Sequence, residues 1–209
     1  MAVNGQKCEQ YFPSLAGNGF RYGDFKIATI RVDVENAYHV SSLKLQKGNE
    51  KRTLTHFLYH AWPDKATPIS CKAFIHFLEA INEKQKALTQ KAISQNQWLN
   101  MERGPPIVVH CSAGVGRTGT LVALDIIFER LHKTMAKTGQ PLAEVYETVR
   151  KLRTQRHKAV QRPEQYVFIF LGIVEYGIRH KLLDTSKVQV NAFLLECVES
   201  VRQAEVFQE

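Results

Sequence analysis

The sequence has few cysteines and no long apolar run, and each scarcity argues against a class of protein. Four cysteines in 209 residues form no Cys-x-x-Cys pair and have no histidine at ligand spacing, so neither a disulfide scaffold nor a zinc site is expected. No apolar stretch approaches the roughly 20 residues of a membrane span, and residues 1–9 lack the apolar core of a signal peptide. We therefore expect a cytoplasmic location, reduced thiols and no membrane partner.

Composition and charge describe a soluble globular chain with a basic body. Hydrophobic residues make up 44% and charged residues 23%, which excludes intrinsic disorder, and the formal net charge is +8. Residues 150–162 contain six lysines and arginines and no acid, whereas residues 183–209 carry two basic and five acidic residues. The basic cluster is either a solvated helix face or a surface for phosphate, nucleic acid or acidic protein.

Hydrophobic periodicity predicts an α/β domain. Residues 25–32, 38–47 and 51–60 alternate as strands do, and the Gly48-Asn49 turn signal between the last two predicts an antiparallel meander. Helical spacing follows from about Ser70, and further helices are predicted from Thr120, Pro141 and Pro163. Residues 107–109, Ile-Val-Val, read as a short strand buried on both faces. We expect one domain over residues 1–182 and an acidic helical tail over residues 183–209.

The most informative segment is His-Cys-Ser-Ala-Gly-Val-Gly-Arg-Thr-Gly at residues 110–119. A strand, a glycine-containing loop and a helix form an anion cradle, because backbone N–H groups and the positive helix end converge on one point. A helix N-terminus and a nearby cation lower a thiol pKa, so Cys111 is expected to be a thiolate. The planar fork of Arg117 can hold two phosphoryl oxygens, and the Thr118 hydroxyl can donate to the thiolate.

This segment resembles the signature loop of the cysteine-dependent protein tyrosine phosphatases, in their tyrosine-specific branch. Trp-Pro-Asp at residues 62–64 resembles the mobile acid loop of that family, and Gln-Arg-Pro-Glu-Gln-Tyr at residues 161–166 resembles its glutamine loop. Residues 7–13 are similar to the segment before the family's meander. The resemblance implies a central mixed, twisted β-sheet flanked by helices, a metal-independent reaction without a cofactor, and phosphotyrosine-containing proteins as partners.

The resemblance also implies a role for each matching residue. Cys111 is the nucleophile, Asp64 the general acid, and Gln161 positions the hydrolytic water. Arg117 clamps the phosphoryl group, and Thr118 assists departure of the thiolate. The remaining implied substrate-binding residues are Ser112, Ala113, Gly114, Val115, Gly116 and Gln165. His110 is expected to order the loop, and Arg156 to lie near the glutamine loop.

The sequence departs from the family pattern in two places. Family domains run longer at the N-terminus, so we expect the loop whose tyrosine sets pocket depth, and the acid that buttresses Arg117, to be missing. After Asp64 the family has an aromatic residue and a glycine, whereas Lys65 and Ala66 stand here. Short members of this kind resemble the phosphatases carried by some insect viruses.

Two other functions compete with phosphotyrosine hydrolysis at this stage. The same cradle in a protein that has lost turnover gives a phosphotyrosine-binding module. The basic surface is also compatible with an RNA 5′-phosphatase, although the glutamine loop and Trp-Pro-Asp favour the tyrosine-specific branch. We expect no obligatory nucleic acid, and the pattern makes no prediction of oligomeric state.

Overall fold

The computed structural model describes residues 8–63, 66–99 and 104–184, and the chain divides into two compact units, Met1–Ala61 and Trp62–Glu209. The first unit contains the strands β1 (Gly19–Tyr22), β2 (Phe25–Val34), β3 (Tyr38–Lys47) and β4 (Glu50–Tyr59). The second contains the helices α1 (Cys71–Ser94), α2 (Gly116–Thr138), α3 (Val145–Gln155) and α4 (Pro163–Arg179). The α/β class is confirmed. The predicted tail lies almost wholly outside the described residues.

The first unit is an antiparallel sheet in the order β1-β2-β3-β4. The predicted meander is confirmed, and Gly48 turns between β3 and β4 with φ +56°, a conformation that glycine adopts without steric cost. The sequence did not predict β1, which pairs with β2 through a turn at Gly23. Ahead of the sheet, the Tyr11 hydroxyl lies 3.0 Å from Nε2 of His56, and the Thr29 hydroxyl donates to the Pro13 carbonyl.

The second unit packs its helices around an apolar core. Ser70 caps α1 as predicted, because its hydroxyl accepts a hydrogen bond from the Ala73 N–H at 3.2 Å. The rings of Phe128 and Tyr176 stack at 3.8 Å and join α2 to α4. Other side chains that are almost wholly buried in this unit are Phe74, Ile75, Leu78, Leu124, Ile127, Phe168 and Ile169. No helix in the described part of the chain is long and apolar enough to cross a membrane.

The predicted strand at residues 107–109 is wrong. These residues form no strand, and the Val108 side chain is 89% exposed. A β-branched segment becomes a strand only when a neighbour supplies hydrogen-bonding partners, and no described strand pairs with it. The preceding Pro105 and Pro106 have no N–H to donate. The family resemblance implied a mixed sheet, whereas the four described strands pair only antiparallel.

Candidate active site

The loop of residues 110–115 leads straight into helix α2. The helix begins at Gly116, four residues before the predicted start at Thr120, so Arg117 and Thr118 lie in its first turn. Propensity disfavours glycine in helices, but here the Gly119 N–H donates to the Val115 carbonyl at 3.1 Å and closes the first turn. The positive end of the helix dipole therefore lies beside the loop that carries the cysteine.

The Cys111 thiol is partly buried and is surrounded by hydrogen-bond donors. Burial by itself raises the pKa of this thiol, but hydrogen bonds to the sulfur outweigh burial, and the pKa lies below its ordinary value. The donors are the Thr118 hydroxyl and the backbone N–H groups of Thr118, Gly114 and Val115. The Gly114 N–H lies 3.3 Å from the sulfur. These donors stabilise the thiolate form relative to the thiol, and the role of Cys111 as the nucleophile stays a prediction.

The Thr118 hydroxyl oxygen is buried and makes no hydrogen bond of ordinary geometry within residues 8–63, 66–99 and 104–184. Its proximity to the Cys111 sulfur nevertheless lowers the thiol pKa. On the other side of the cysteine, Nδ1 of His110 donates to the Cys111 carbonyl at 3.0 Å. Thr118 thus acts on the charge of the Cys111 sulfur, and His110 contacts the Cys111 backbone.

The glutamine loop packs directly against the cysteine loop. A Cβ added to Gly116 would lie 3.0 Å from Nε2 of Gln165 and 3.4 Å from Oε1 of Gln161. The structure thus brings both predicted glutamines to the residue that opens α2. The Gln165 side chain is buried, and its Oε1 accepts hydrogen bonds from the backbone N–H groups of Gln161 and Arg162. In this arrangement Gln165 holds the glutamine loop, while Gln161 is exposed.

The backbones of the two loops also meet. The Val160 N–H donates to the Val115 carbonyl at 3.1 Å, and a Cβ on Gly119 would lie only 2.5 Å from the Val160 nitrogen. Val160 has φ +58°, which is strained for a β-branched residue. Such strain persists only where the surroundings fix the backbone, and it occurs here next to Gln161.

Two arginines of the basic cluster fix this geometry. The Arg156 guanidinium donates to the carbonyls of Ala113, at 2.9 Å, and Gly114, at 3.4 Å. Arg153 donates to the carbonyls of Ala159, at 3.0 Å, and Val160, at 2.9 Å. Each arginine thus orders one of the two loops. Sequence reasoning named Arg156 but gave Arg153 no role beyond the basic cluster.

The other predicted residues are placed as follows. Arg117 is half-buried in the first turn of α2, while Ser112 and Ala113 are exposed on the loop. Trp62 donates from Nε1 to the Ala66 carbonyl at 2.7 Å, and its ring packs edge-on against Phe74 at 5.3 Å. Asp64, the predicted general acid, lies outside the described residues. Within the described part, no three His, Cys, Asp or Glu side chains are grouped to hold a metal ion.

The described arrangement suits the binding of a small anion and nucleophilic attack on it by the Cys111 sulfur. N–H donors, a helix N-terminus and a thiol of lowered pKa converge on one loop, and Arg117 lies in the first turn of the helix that follows. A dianion such as a phosphate ester is the ligand that these charges favour.

Comparisons with known proteins agree with this chemistry. The family profile for protein-tyrosine phosphatase matches residues 1–175. Human tyrosine-protein phosphatase non-receptor type 9 is 33% identical over 184 residues, covering 87% of this chain and 30% of that protein. Tyrosine-protein phosphatase corkscrew of Drosophila virilis is 30% identical over 171 residues, covering 81% of this chain and 21% of that protein.

A receptor-type relative also matches. Human receptor-type tyrosine-protein phosphatase H is 36% identical over 174 residues, covering 81% of this chain and 14% of that protein. The chain therefore spans less than a third of the length of these three relatives. The profile match over most of the chain, together with the cysteine and glutamine loops, shows that the chain belongs to the protein-tyrosine phosphatase family.

Proposed function

We propose that this protein hydrolyses phosphotyrosine in proteins through a phosphocysteine intermediate. The observation that carries the proposal is the Cys111 thiol, whose pKa is lowered by N–H and hydroxyl donors at the N-terminus of α2. A thiolate in that position is both a nucleophile and a neighbour of the phosphate site. Membership of the family supports tyrosine phosphate as the substrate class.

In the first step the Cys111 sulfur attacks phosphorus, and the bond from phosphorus to the tyrosine oxygen breaks. Asp64 gives its carboxyl proton to that oxygen, so tyrosine leaves as a neutral phenol. Arg117 and the loop N–H groups stabilise the negative charge on the transferring phosphoryl group. General acid catalysis of this kind contributes about 10²- to 10⁴-fold.

In the second step water attacks the phosphocysteine. Gln161 orients the water, the Asp64 carboxylate accepts one of its protons, and the phosphorus–sulfur bond breaks. Phosphate is released and Cys111 returns as a thiolate, which the Thr118 hydroxyl stabilises. The close approach of Gln161 to Gly116 supports this assignment, because a water held there lies next to the cradle.

The deciding experiment is substitution of the nucleophile. Cys111→Ser is expected to abolish turnover of para-nitrophenyl phosphate and of a phosphotyrosine peptide while peptide binding persists. Mass spectrometry of acid-quenched wild-type enzyme is expected to detect one phosphoryl group on this cysteine. The exposed Cys8→Ser is the matched control and should retain full activity.

Two results would contradict the proposal. Undiminished turnover in Cys111→Ser would show that Cys111 is not the nucleophile. Phosphopeptide binding by the wild-type protein without any phosphate release would show a binding module instead.

The role of Asp64 has its own test. Asp64→Ala is expected to slow esters with poor leaving groups more than esters with good ones, because an activated phenol needs less protonation. Equal losses across leaving groups would show that Asp64 only shapes its loop.

Both non-receptor and receptor-type proteins are among the relatives, so the expected cytoplasmic location stays a prediction.

A further inference from the structure

A groove of about 540 Å³ runs between α3 and the first turns of α4. Helix α3 supplies an aromatic, an aliphatic and two basic side chains, and α4 with the residues before it supplies the opposite wall. The lining residues used below are Tyr146, Val149, Arg150, Gln161, Pro163 and Tyr166. None of the groove's lining residues is acidic, and none of those on α3 has a role in the proposed chemistry except Arg153, which orders the glutamine loop.

One end of the groove reaches the candidate active site. Gln161 lines the groove, and its Oε1 lies within 3.4 Å of a Cβ placed on Gly116, the first residue of α2. The Cys111 loop ends at that residue. A polypeptide whose phosphotyrosine occupies the loop can therefore continue past Gln161 into the groove.

The walls of the groove offer an apolar contact. The Tyr146 ring is 68% exposed, and Tyr166 and Pro163 on the opposite wall are partly accessible. The Tyr166 ring packs edge-on against Phe170 at 5.4 Å, which fixes its orientation. The exposed Tyr146 ring and the oriented Tyr166 ring are suited to contact one apolar side chain of an extended peptide.

The rim of the groove offers a cation. Arg150 is exposed and pairs with Glu147 of the same helix at 2.8 Å, and both side chains are about half accessible to solvent. An exposed pair of this kind is weak, so a ligand carboxylate can displace Glu147 at small cost. Arg162 pairs with Glu164 at 3.2 Å, but this pair is more buried, since the Glu164 side chain is only 13% exposed. The surrounding residues 150–162 hold six lysines and arginines and no acid, so the local field favours an acidic ligand.

We propose that this groove binds the segment of the substrate protein adjacent to its phosphotyrosine. An acidic side chain of that segment pairs with Arg150, and an apolar side chain packs between Tyr146 and Tyr166. The groove thereby selects among phosphotyrosine sites by their flanking sequence. This inference rests on the proposed phosphatase function, because it takes the phosphotyrosine in the Cys111 loop as its anchor.

The test compares kcat/KM for two phosphotyrosine peptides and for para-nitrophenyl phosphate, which is too small to reach the groove. One peptide carries acidic and apolar residues on both sides of the phosphotyrosine, and the other carries alanines. Wild-type enzyme is expected to prefer the acidic and apolar peptide. Arg150→Ala is expected to reduce that preference about twofold to fivefold, and Tyr146→Ala by a similar factor. Neither variant should change turnover of para-nitrophenyl phosphate.

A matched control and a charge reversal sharpen the test. Lys133→Ala removes a cation from a comparable exposed helical ion pair, with Glu129 on α2, and should leave the peptide preference unchanged. Arg150→Glu should favour a third peptide in which lysines replace the acidic residues. A purely structural role for Arg150 would not produce that reversal.

The outcomes separate the two proposals. One outcome is normal turnover of para-nitrophenyl phosphate with equal kcat/KM for all peptides, in wild type and variants alike. It would overturn the proposed role of the groove and leave the proposed phosphatase function standing. Loss of para-nitrophenyl phosphate turnover in Arg150→Ala would also overturn the groove, because the arginine would then act on the reaction itself. No turnover of any substrate by wild-type enzyme would overturn both.

Discussion

Replacing Gly119 by alanine tests the contact between the cysteine and glutamine loops directly. The added methyl group would lie 2.5 Å from the Val160 nitrogen and 3.1 Å from two backbone atoms of Ala159. Carbon atoms in proteins pack at about 3.5–4.0 Å, so the two backbones must separate by several tenths of an ångström or more. The Val160 backbone cannot yield freely, because its N–H is bonded to Val115 and its carbonyl to Arg153.

The expected cost follows from three contributions. Overpacking of this kind costs about 1–3 kcal/mol, and stretching the hydrogen bond from Val160 to Val115 costs about 1 kcal/mol. Alanine in place of glycine favours the helix by about 1 kcal/mol, which offsets the lost hydrogen bond. Gly119→Ala should therefore lower the free energy of unfolding by about 1–3 kcal/mol. For a chain of this length each kcal/mol lowers Tm by about 2–4 °C.

The assay is thermal unfolding of Gly119→Ala beside a matched glycine variant. Gly172→Ala also adds a methyl group inside a helix, but its nearest neighbours are side-chain carbons of Leu124, the closest at 2.7 Å. A leucine side chain can change rotamer, so we expect this variant to lose less stability than Gly119→Ala. Wild-type stability in Gly119→Ala, or a smaller loss than in Gly172→Ala, would refute the tight approach of the two loops.

Three further substitutions test separate parts of the site and fold. Thr118→Val removes a donor that lowers the Cys111 pKa, so the midpoint of the pH dependence of iodoacetamide alkylation should move to higher pH. Because the pKa of Cys111 is lower in the folded than in the unfolded state, ionisation of this thiol adds to the free energy of unfolding. That contribution is full above the unfolded pKa of about 8.5 and is lost as the pH falls through the folded pKa. The stability of Thr118→Val should therefore depend less on pH in this range. Arg156→Ala should speed hydrogen exchange at Gly114 by freeing the loop, whereas unchanged exchange would argue against its ordering role. Ser70→Ala should cost about 1 kcal/mol by removing the cap of α1, which chemical denaturation measures, and no loss would show that the cap is dispensable.

Features governed by nearby residues were accessible from the sequence. The alternation of residues 38–47, the turn at Gly48 and the cap at Ser70 depend on neighbours a few positions away, and the structure confirms all three. The anion cradle of residues 110–119 also depends only on neighbouring residues, because it is built from consecutive backbone N–H groups. For that reason the sequence also pointed to Cys111 as the nucleophile, which stays a prediction, and hydrogen-bond donors around its sulfur lower the thiol pKa.

Features that depend on distant partners were decided only by the tertiary structure. Residues 107–109 have the composition of a buried strand, yet no described strand pairs with them, and composition cannot report a missing neighbour. Helix α2 begins at Gly116 rather than at the better helix former Thr120, since contacts with the glutamine loop outweigh local propensity. Arg153 looked like surface charge, and Arg156 was expected near the glutamine loop, but folding brought the Val160 carbonyl within reach of Arg153 and the Ala113 carbonyl within reach of Arg156. The sequence of residues 110–119 by itself indicated the type of reaction, because the anion cradle is formed by neighbouring residues. Only the tertiary structure showed which distant side chains order the two loops, because those contacts join residues far apart in the chain.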